Sequence, residues 1–165
     1  MELIRRFPIF SKISLAKQKL LCFSSERLTY GPNQEMFRKG DVGDCCYVVI
    51  DGSVEISLES DNGPLVLSVL GRNELIGEIA IFGEVPRSAT ATTTSRVEVL
   101  KISKELFRSV IRENPDAAVE LTRILAVRLA NNAELLAKMS NEVGRLEEAL
   151  THSAGHSSAS APQSP

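Results

Sequence analysis

Between Leu28 and Ile102 the chain rarely runs eight residues without a turn signal, and this spacing constrains its fold more than anything else. Gly31-Pro32-Asn33, Lys39-Gly40-Asp41, Gly43-Asp44, Asp51-Gly52, Asp61-Asn62-Gly63-Pro64 and Gly71-Arg72-Asn73 divide it into short apolar runs. Glycine, proline, asparagine and aspartate favour turns for separate reasons, and no long helix survives such punctuation. The runs between them read as strands: Glu35–Arg38, Cys46–Ile50, Ser53–Glu59, Leu65–Leu70, Ala89–Thr94 and Arg96–Ile102. Many short strands with frequent turns predict an antiparallel barrel or sandwich. Asp51-Gly52 is expected to close a tight hairpin and Asp61–Pro64 a longer one.

Helices are predicted on both sides of this region. Leu3, Ile4, Phe7, Phe10, Ile13, Leu20, Leu21 and Phe23 supply apolar faces over residues 2–24, and Pro8 divides them into two short helices. Ser14 is placed to cap the second and Ser103 a third that ends near Asn114. Pro115 opens a long helix running to about Leu150. Its apolar positions keep alternating steps of four and three through Leu125, Leu129, Asn132, Leu136, Met139, Val143, Leu146 and Leu150. That beat is a coiled-coil seam, and it predicts a parallel homodimer through residues 115–150. A helix laid back over its own strands is the alternative. From Thr151 the composition turns to Ser, Ala, Gly, Pro, Gln and His, as in a disordered tail.

A formal charge of −2 over 165 residues offers no general attraction to nucleic acid or anionic lipid. No apolar run approaches the length of a membrane span, and no secretory signal is visible. Cys22, Cys45 and Cys46 make an odd set without a framework, read as reduced packing residues in a cytoplasmic protein. On a strand, Cys45 and Cys46 would point to opposite faces. The only histidines, His152 and His156, fall in the tail, so the folded part holds neither a histidine base nor a metal-binding histidine set. These observations argue against an enzyme.

One stretch invites an anion. Leu75-Ile76 reads as the end of a strand, Gly77-Glu78 as a turn into a short helix, and Pro86-Arg87-Ser88 as re-entry into strand. Backbone N–H groups at a helix start, with a guanidinium and a hydroxyl returned to the same place, suit a phosphate. Taken alone, a surface arginine paired with Glu84 or Glu78 would be the commoner case for Arg87.

Taken together, Phe37-Arg38-Lys39-Gly40-Asp41-Val42-Gly43-Asp44 through Asp51-Gly52, Gly77-Glu78-Ile79-Ala80 and Pro86-Arg87-Ser88-Ala89-Thr90 resemble the cyclic nucleotide-binding domain family. That family includes bacterial catabolite activator proteins and regulatory subunits of protein kinase A, and the resemblance covers about Phe7 to Met139. It implies a mainly β fold with flanking helices: a double-stranded β-helix (jelly-roll) barrel with N-terminal helices and a long C-terminal lid or dimerisation helix. The implied division is 1–114 for the binding core, 115–150 for the lid or dimer helix and 151–165 for the tail.

The ligand implied is a 3′,5′-cyclic nucleotide, with cAMP favoured and cGMP as alternative, and no metal. By the same resemblance Arg87 would take the cyclic phosphate and Glu78 the ribose 2′-hydroxyl. Gly77, Ile79 and Ala80 would act through backbone, with Ser88 and the Ala89 amide completing the cradle. Leu67 and Ser68 match pocket-lining positions, although Leu67 can also be plain core. Asn132 matches a lid position over the base; read only as an interruption of the seam, it would fix dimer register. The resemblance implies a sensor without catalysis whose effector is unknown. No basic recognition helix follows the lid, so direct DNA binding is not expected. A degenerate domain that only dimerises would be marked by loss of Arg87 or Glu78, and both are present.

Overall fold

The computed structural model describes residues 2–156. The chain falls into two compact units, one ending at Ile124 and one beginning at Leu125. In the first unit the N-terminal stretch forms α1 (Glu2–Arg6), a single 3-10 turn at Pro8–Phe10 and α2 (Leu15–Ser24). Pro8 opens the turn because its missing N–H costs nothing there. The Ser14 hydroxyl accepts from the Lys17 amide at 3.4 Å, which is the expected cap.

Eight strands follow: β1 (Glu26–Tyr30), β2 (Glu35–Phe37), β3 (Cys45–Asp51), β4 (Val54–Leu58), β5 (Leu65–Leu70), β6 (Leu75–Ile76), β7 (Thr90–Thr93) and β8 (Val97–Ser103). They form two four-stranded antiparallel sheets, ordered β1-β8-β3-β6 and β2-β7-β4-β5. Cys45, Tyr47, Val49, Ile76, Val97 and Val99 from the first meet Val54, Leu70 and Ala91 from the second in one buried core. The jelly-roll barrel expected from sequence is not closed: among the described residues no strand pairing joins the two sheets. Their edge strands β2 and β6 have three and two residues, too few to carry a ladder across.

Two other expectations change. Asp51-Gly52 does not close a hairpin, because β3 and β4 belong to different sheets. Gly52, at φ 88°, instead turns the chain from one sheet into the other. The Asp61–Pro64 turn does join a hairpin, β4 with β5. Strand β1 was not anticipated, whereas β6 lies at Leu75-Ile76, where a strand end was expected. Leu28 and Tyr30 alternate with polar residues, which is a weak signal for β1, while β6 exists only through its pairing with Tyr47 and Val48.

Cys45 and Cys46 do alternate along β3, yet both faces of that strand are covered. Cys45 enters the inter-sheet core, and Cys46 is buried on the side where α3 (Glu78–Gly83) and α4 (Lys104–Glu113) lie against the strand. Edge-to-face ring contacts join Phe7 to Phe10, Phe10 to Phe107 and Phe107 to Phe82, tying the N-terminal turn, α4 and α3 into one cluster. The Ser103 hydroxyl caps α4, accepting from the Leu106 amide at 3.3 Å.

Pro115 opens α5 (Pro115–His156), whose first turns bury Ala117 and Leu121 in the first unit. In the second unit the helix exposes Leu129, Leu136, Met139, Val143, Leu146 and Leu150. It continues six residues beyond Leu150, so the first part of the expected tail is helical, and 157–165 lie outside the described residues. No helix among the described residues is long and apolar enough to cross a membrane.

Candidate functional site

The anion-suited stretch folds as its local chemistry predicts. Leu75 and Ile76 are buried against β3, and Gly77 takes φ 86°, which breaks the strand and starts α3. The helix has six residues, and Glu84 in the left-handed region at φ 52° ends it. The return segment is clamped by backbone: the Arg87 amide donates to Asp41 O at 2.9 Å, and the Gly40 amide donates to Arg87 O at 2.8 Å.

Gly40-Asp41 therefore has a definite task. Asp41 Oδ2 accepts from the Arg38 amide at 2.8 Å and Gly40 takes φ 93°, which shapes the loop that holds Arg87 in place. Gly43 has another: a Cβ there would fall 2.2 Å from Ala80 Cβ, so its absence lets α3 approach this loop closely.

Arg87 is 4% exposed. Its Nη1 donates to Gly77 O at 2.9 Å, and its Nη2 to Cys45 O at 2.7 Å and Cys45 Sγ at 3.4 Å. Its guanidinium carbon lies 4.2 Å from the centroid of the Phe37 ring. Among the described residues Nε has no hydrogen-bond partner. The surface pairing with Glu84 is excluded, since Glu84 bonds Arg108 at 2.8 Å and Arg87 is inside. Glu78 is 1% exposed at the start of α3. Burial pushes the Cys46 thiol well up; the Glu78 charge raises it further and the Arg87 charge lowers it, so both charges act at one buried sulfur. Burial likewise raises the Cys45 thiol.

The remaining predicted residues divide by location. Ala80 and Ala89 are buried, while their neighbours Ile79 on α3 and Ser88 on the return segment are exposed. On the edge strand β5, Leu67 is half-buried and Ser68 exposed. Asn132 belongs to the second unit, where it is exposed. Sequence reasoning missed Phe37 and Cys45 as neighbours of Arg87. Both stood inside quoted motifs, but only the sheet register brings them to the guanidinium. Among the described residues no group of three or more His, Cys, Asp or Glu side chains is gathered as a metal ion would require.

Residues 27–114 match the family model described as Cyclic nucleotide-binding domain. A CRP-like cAMP-activated global transcriptional regulator of Mycobacterium tuberculosis is 28% identical over 139 residues, 84% of this chain and 62% of that protein. The catabolite activator protein of Thermus thermophilus superposes with a TM-score of 0.68 at 30% identity, over 81% of this chain and 63% of that one. The N-terminal domain of a transcriptional regulator from Streptomyces coelicolor superposes with a TM-score of 0.61 at 31% identity, over 81% of this chain and 94% of that domain. The chain thus spans about three fifths of the length of the full regulators it matches.

Proposed function

This chain belongs to the cyclic nucleotide-binding domain family, and we propose that it is a sensor domain for cAMP with no catalytic step of its own. The observation that carries this reading is the burial of opposite charges at the start of α3 and on the segment that returns from it, Glu78 at 1% and Arg87 at 4% exposure. Removing such groups from water is costly unless the site gives them partners. The hydrogen bonds of Arg87 go to neutral carbonyl oxygens and a thiol, so none of these acceptors brings it a negative charge. A cyclic phosphodiester carries one negative charge and oxygens spaced for a guanidinium edge.

In this reading Glu78 accepts from the ribose 2′-hydroxyl, which distinguishes a cyclic ribonucleotide from its deoxy analogue. Gly77, Ile79 and Ala80 contribute backbone groups, and Ser88 with the Ala89 amide completes the phosphate contacts. Leu67 and Ser68 flank the ligand. Asn132 is proposed to meet adenine, whose donor and acceptor an amide satisfies together. The likeness to the cAMP-activated mycobacterial regulator supports cAMP; cGMP is the alternative ligand. Residues 115–150 act as the lid and homodimer helix, supported by the exposed apolar seam on α5. Ligand binding shifts the domain between two states only by its difference in affinity for them. An effector outside the domain reads that shift. The cytoplasm is proposed as its compartment, supported by three cysteines that form no disulfide. Direct contact with nucleic acid or membrane is not part of this function.

Isothermal titration of ligand-free protein with cAMP, cGMP and a cyclic dinucleotide tests the proposal. Arg87→Leu is expected to weaken cAMP binding at least a hundredfold, since it removes charge-assisted hydrogen bonds worth roughly 1.5–3 kcal/mol each. At a hundredfold excess over its Kd, cAMP should stabilise the wild type by about 2.7 kcal/mol. Glu78→Gln should narrow the preference for cAMP over 2′-deoxy-cAMP, and Asn132→Ala should weaken cAMP binding. A folded sample that binds no cyclic nucleotide overturns the reading.

A further inference from the structure

Arg87 rests on a built seat, and two of its walls come from residues with no assigned role. Phe37 on the edge strand β2 presents its ring face to the guanidinium, with 4.2 Å between Cζ and the ring centroid. Tyr47 of β3 also packs against Phe37, its ring nearly parallel at 18° and 6.1 Å between centroids. At one end of the guanidinium, Cys45 supplies both its carbonyl and its sulfur to Nη2, while Gly77 supplies a carbonyl to Nη1. The Nε–H is left as a buried donor with no hydrogen-bond partner among the described residues.

We propose that Phe37 and Cys45 are positioning residues for Arg87: the ring face and the thiol hold the guanidinium so that its Nε edge is ready for a ligand oxygen. This rests on the cyclic nucleotide reading of the same site. Four physical facts support it. A desolvated cation over an aromatic face is attracted by the ring quadrupole, and the attraction grows as water is excluded. The acceptors on Nη1 and Nη2 are neutral, so they orient the arginine without cancelling the charge an anion needs. Sulfur is a weak acceptor, so the thiol guides Nη2 without the grip of a carboxylate. A guanidinium already ordered before the ligand arrives loses less freedom on binding.

The test uses the full chain with cAMP as probe. Thermal unfolding first establishes that each variant folds. Phe37→Leu is expected to weaken cAMP binding roughly 3- to 30-fold, the range of a desolvated cation–π contact. Phe37→Tyr, which keeps the ring, should stay within about twofold of wild type on the same basis. Cys45→Ala, which keeps the carbonyl, should cost less than Phe37→Leu. The second readout is the Arg87 Nε–H resonance in ligand-free protein, assigned with Arg87→Lys. It should be displaced by the ring current in wild type and Phe37→Tyr, and should lose that displacement in Phe37→Leu. Should Phe37→Leu not fold, Phe37→Met carries the same expectations.

A Phe37→Leu protein with wild-type affinity and an unmoved resonance overturns the proposal, as does a Phe37→Tyr protein as weak as Phe37→Leu. If the wild type binds no cyclic nucleotide, the proposed function fails on that measurement, and the resonance of the ligand-free protein still decides whether the seat exists.

Discussion

At the scale of single residues, Gly77 meets two demands at once. Its φ of 86° lies where side chains are strained, and a Cβ there would fall 2.3 Å from Arg87 Nη1. The first demand was legible in the sequence as a turn glycine; the second was not, because the guanidinium arrives from ten residues further on. Gly77→Ala should therefore do more than strain the backbone. We expect a loss of about 1–3 kcal/mol in urea unfolding, together with weaker cAMP binding because Arg87 is pushed off the Gly77 carbonyl. Unchanged affinity in a folded variant would show that Arg87 does not need this anchor. The cysteines separate in the same way. Cys22 is exposed, whereas Cys45 and Cys46 are 3% and 0% exposed and their thiols are pushed up by burial. Iodoacetamide on the native protein at mildly alkaline pH should label Cys22, and the other two only after denaturation, as read by peptide mass spectrometry.

At the scale of elements, local chemistry predicted more than long-range pairing did. Ser14, Ser103, Pro8 and Pro115 set helix starts by satisfying or omitting orphan N–H groups, and each acts where the sequence placed it. Ser103→Ala should cost about 1 kcal/mol of stability, measured by chemical denaturation. Gly52 shows the opposite case. Its dipeptide with Asp51 carries a hairpin signature, but whether two strands pair is decided by which sheet each joins. A Cβ at Gly52 would lie 2.3 Å from Arg96 O and 2.9 Å from Val97 Cα, both backbone atoms. Gly52→Ala has no flexible neighbour to push aside, so we expect several kcal/mol of destabilisation, about 3 or more, or no soluble protein. A near-wild-type melting temperature would show that the crossover can relax. The cassette helix α3 is likewise held by more than its own sequence: Phe82 packs on Phe107, and Glu84 pairs with Arg108 of α4.

At the scale of the whole molecule, the first unit has its core between two sheets, while the second is a helix with its apolar seam exposed. Leu129, Leu136 and Leu146 are 72%, 67% and 61% exposed, and burying each such side chain is worth roughly 1.5–3 kcal/mol. The proposed homodimer would bury that row twice. Leu136→Asp should then give a monomer by light scattering where the wild type gives a dimer. A monomeric wild type, or a mutant of unchanged mass, removes the seam from the function proposed.

Much of this protein was settled by short-range information. Turn residues, β-type alternation, caps and the heptad beat each act over a few neighbours, and so predicted the mainly β class, the flanking helices and the Gly77–Ala89 stretch. Two sheets rather than a closed barrel depended on the lengths of edge strands, which pairing partners determine. The seat of Arg87 depended on register. Cys45 is 42 residues away along the chain, and only the placement of β3 beside α3 brings its carbonyl and sulfur to the guanidinium. Electrostatics made the difference: a motif names which residue carries the charge, while the packed fold decides how dry that charge is and what holds it.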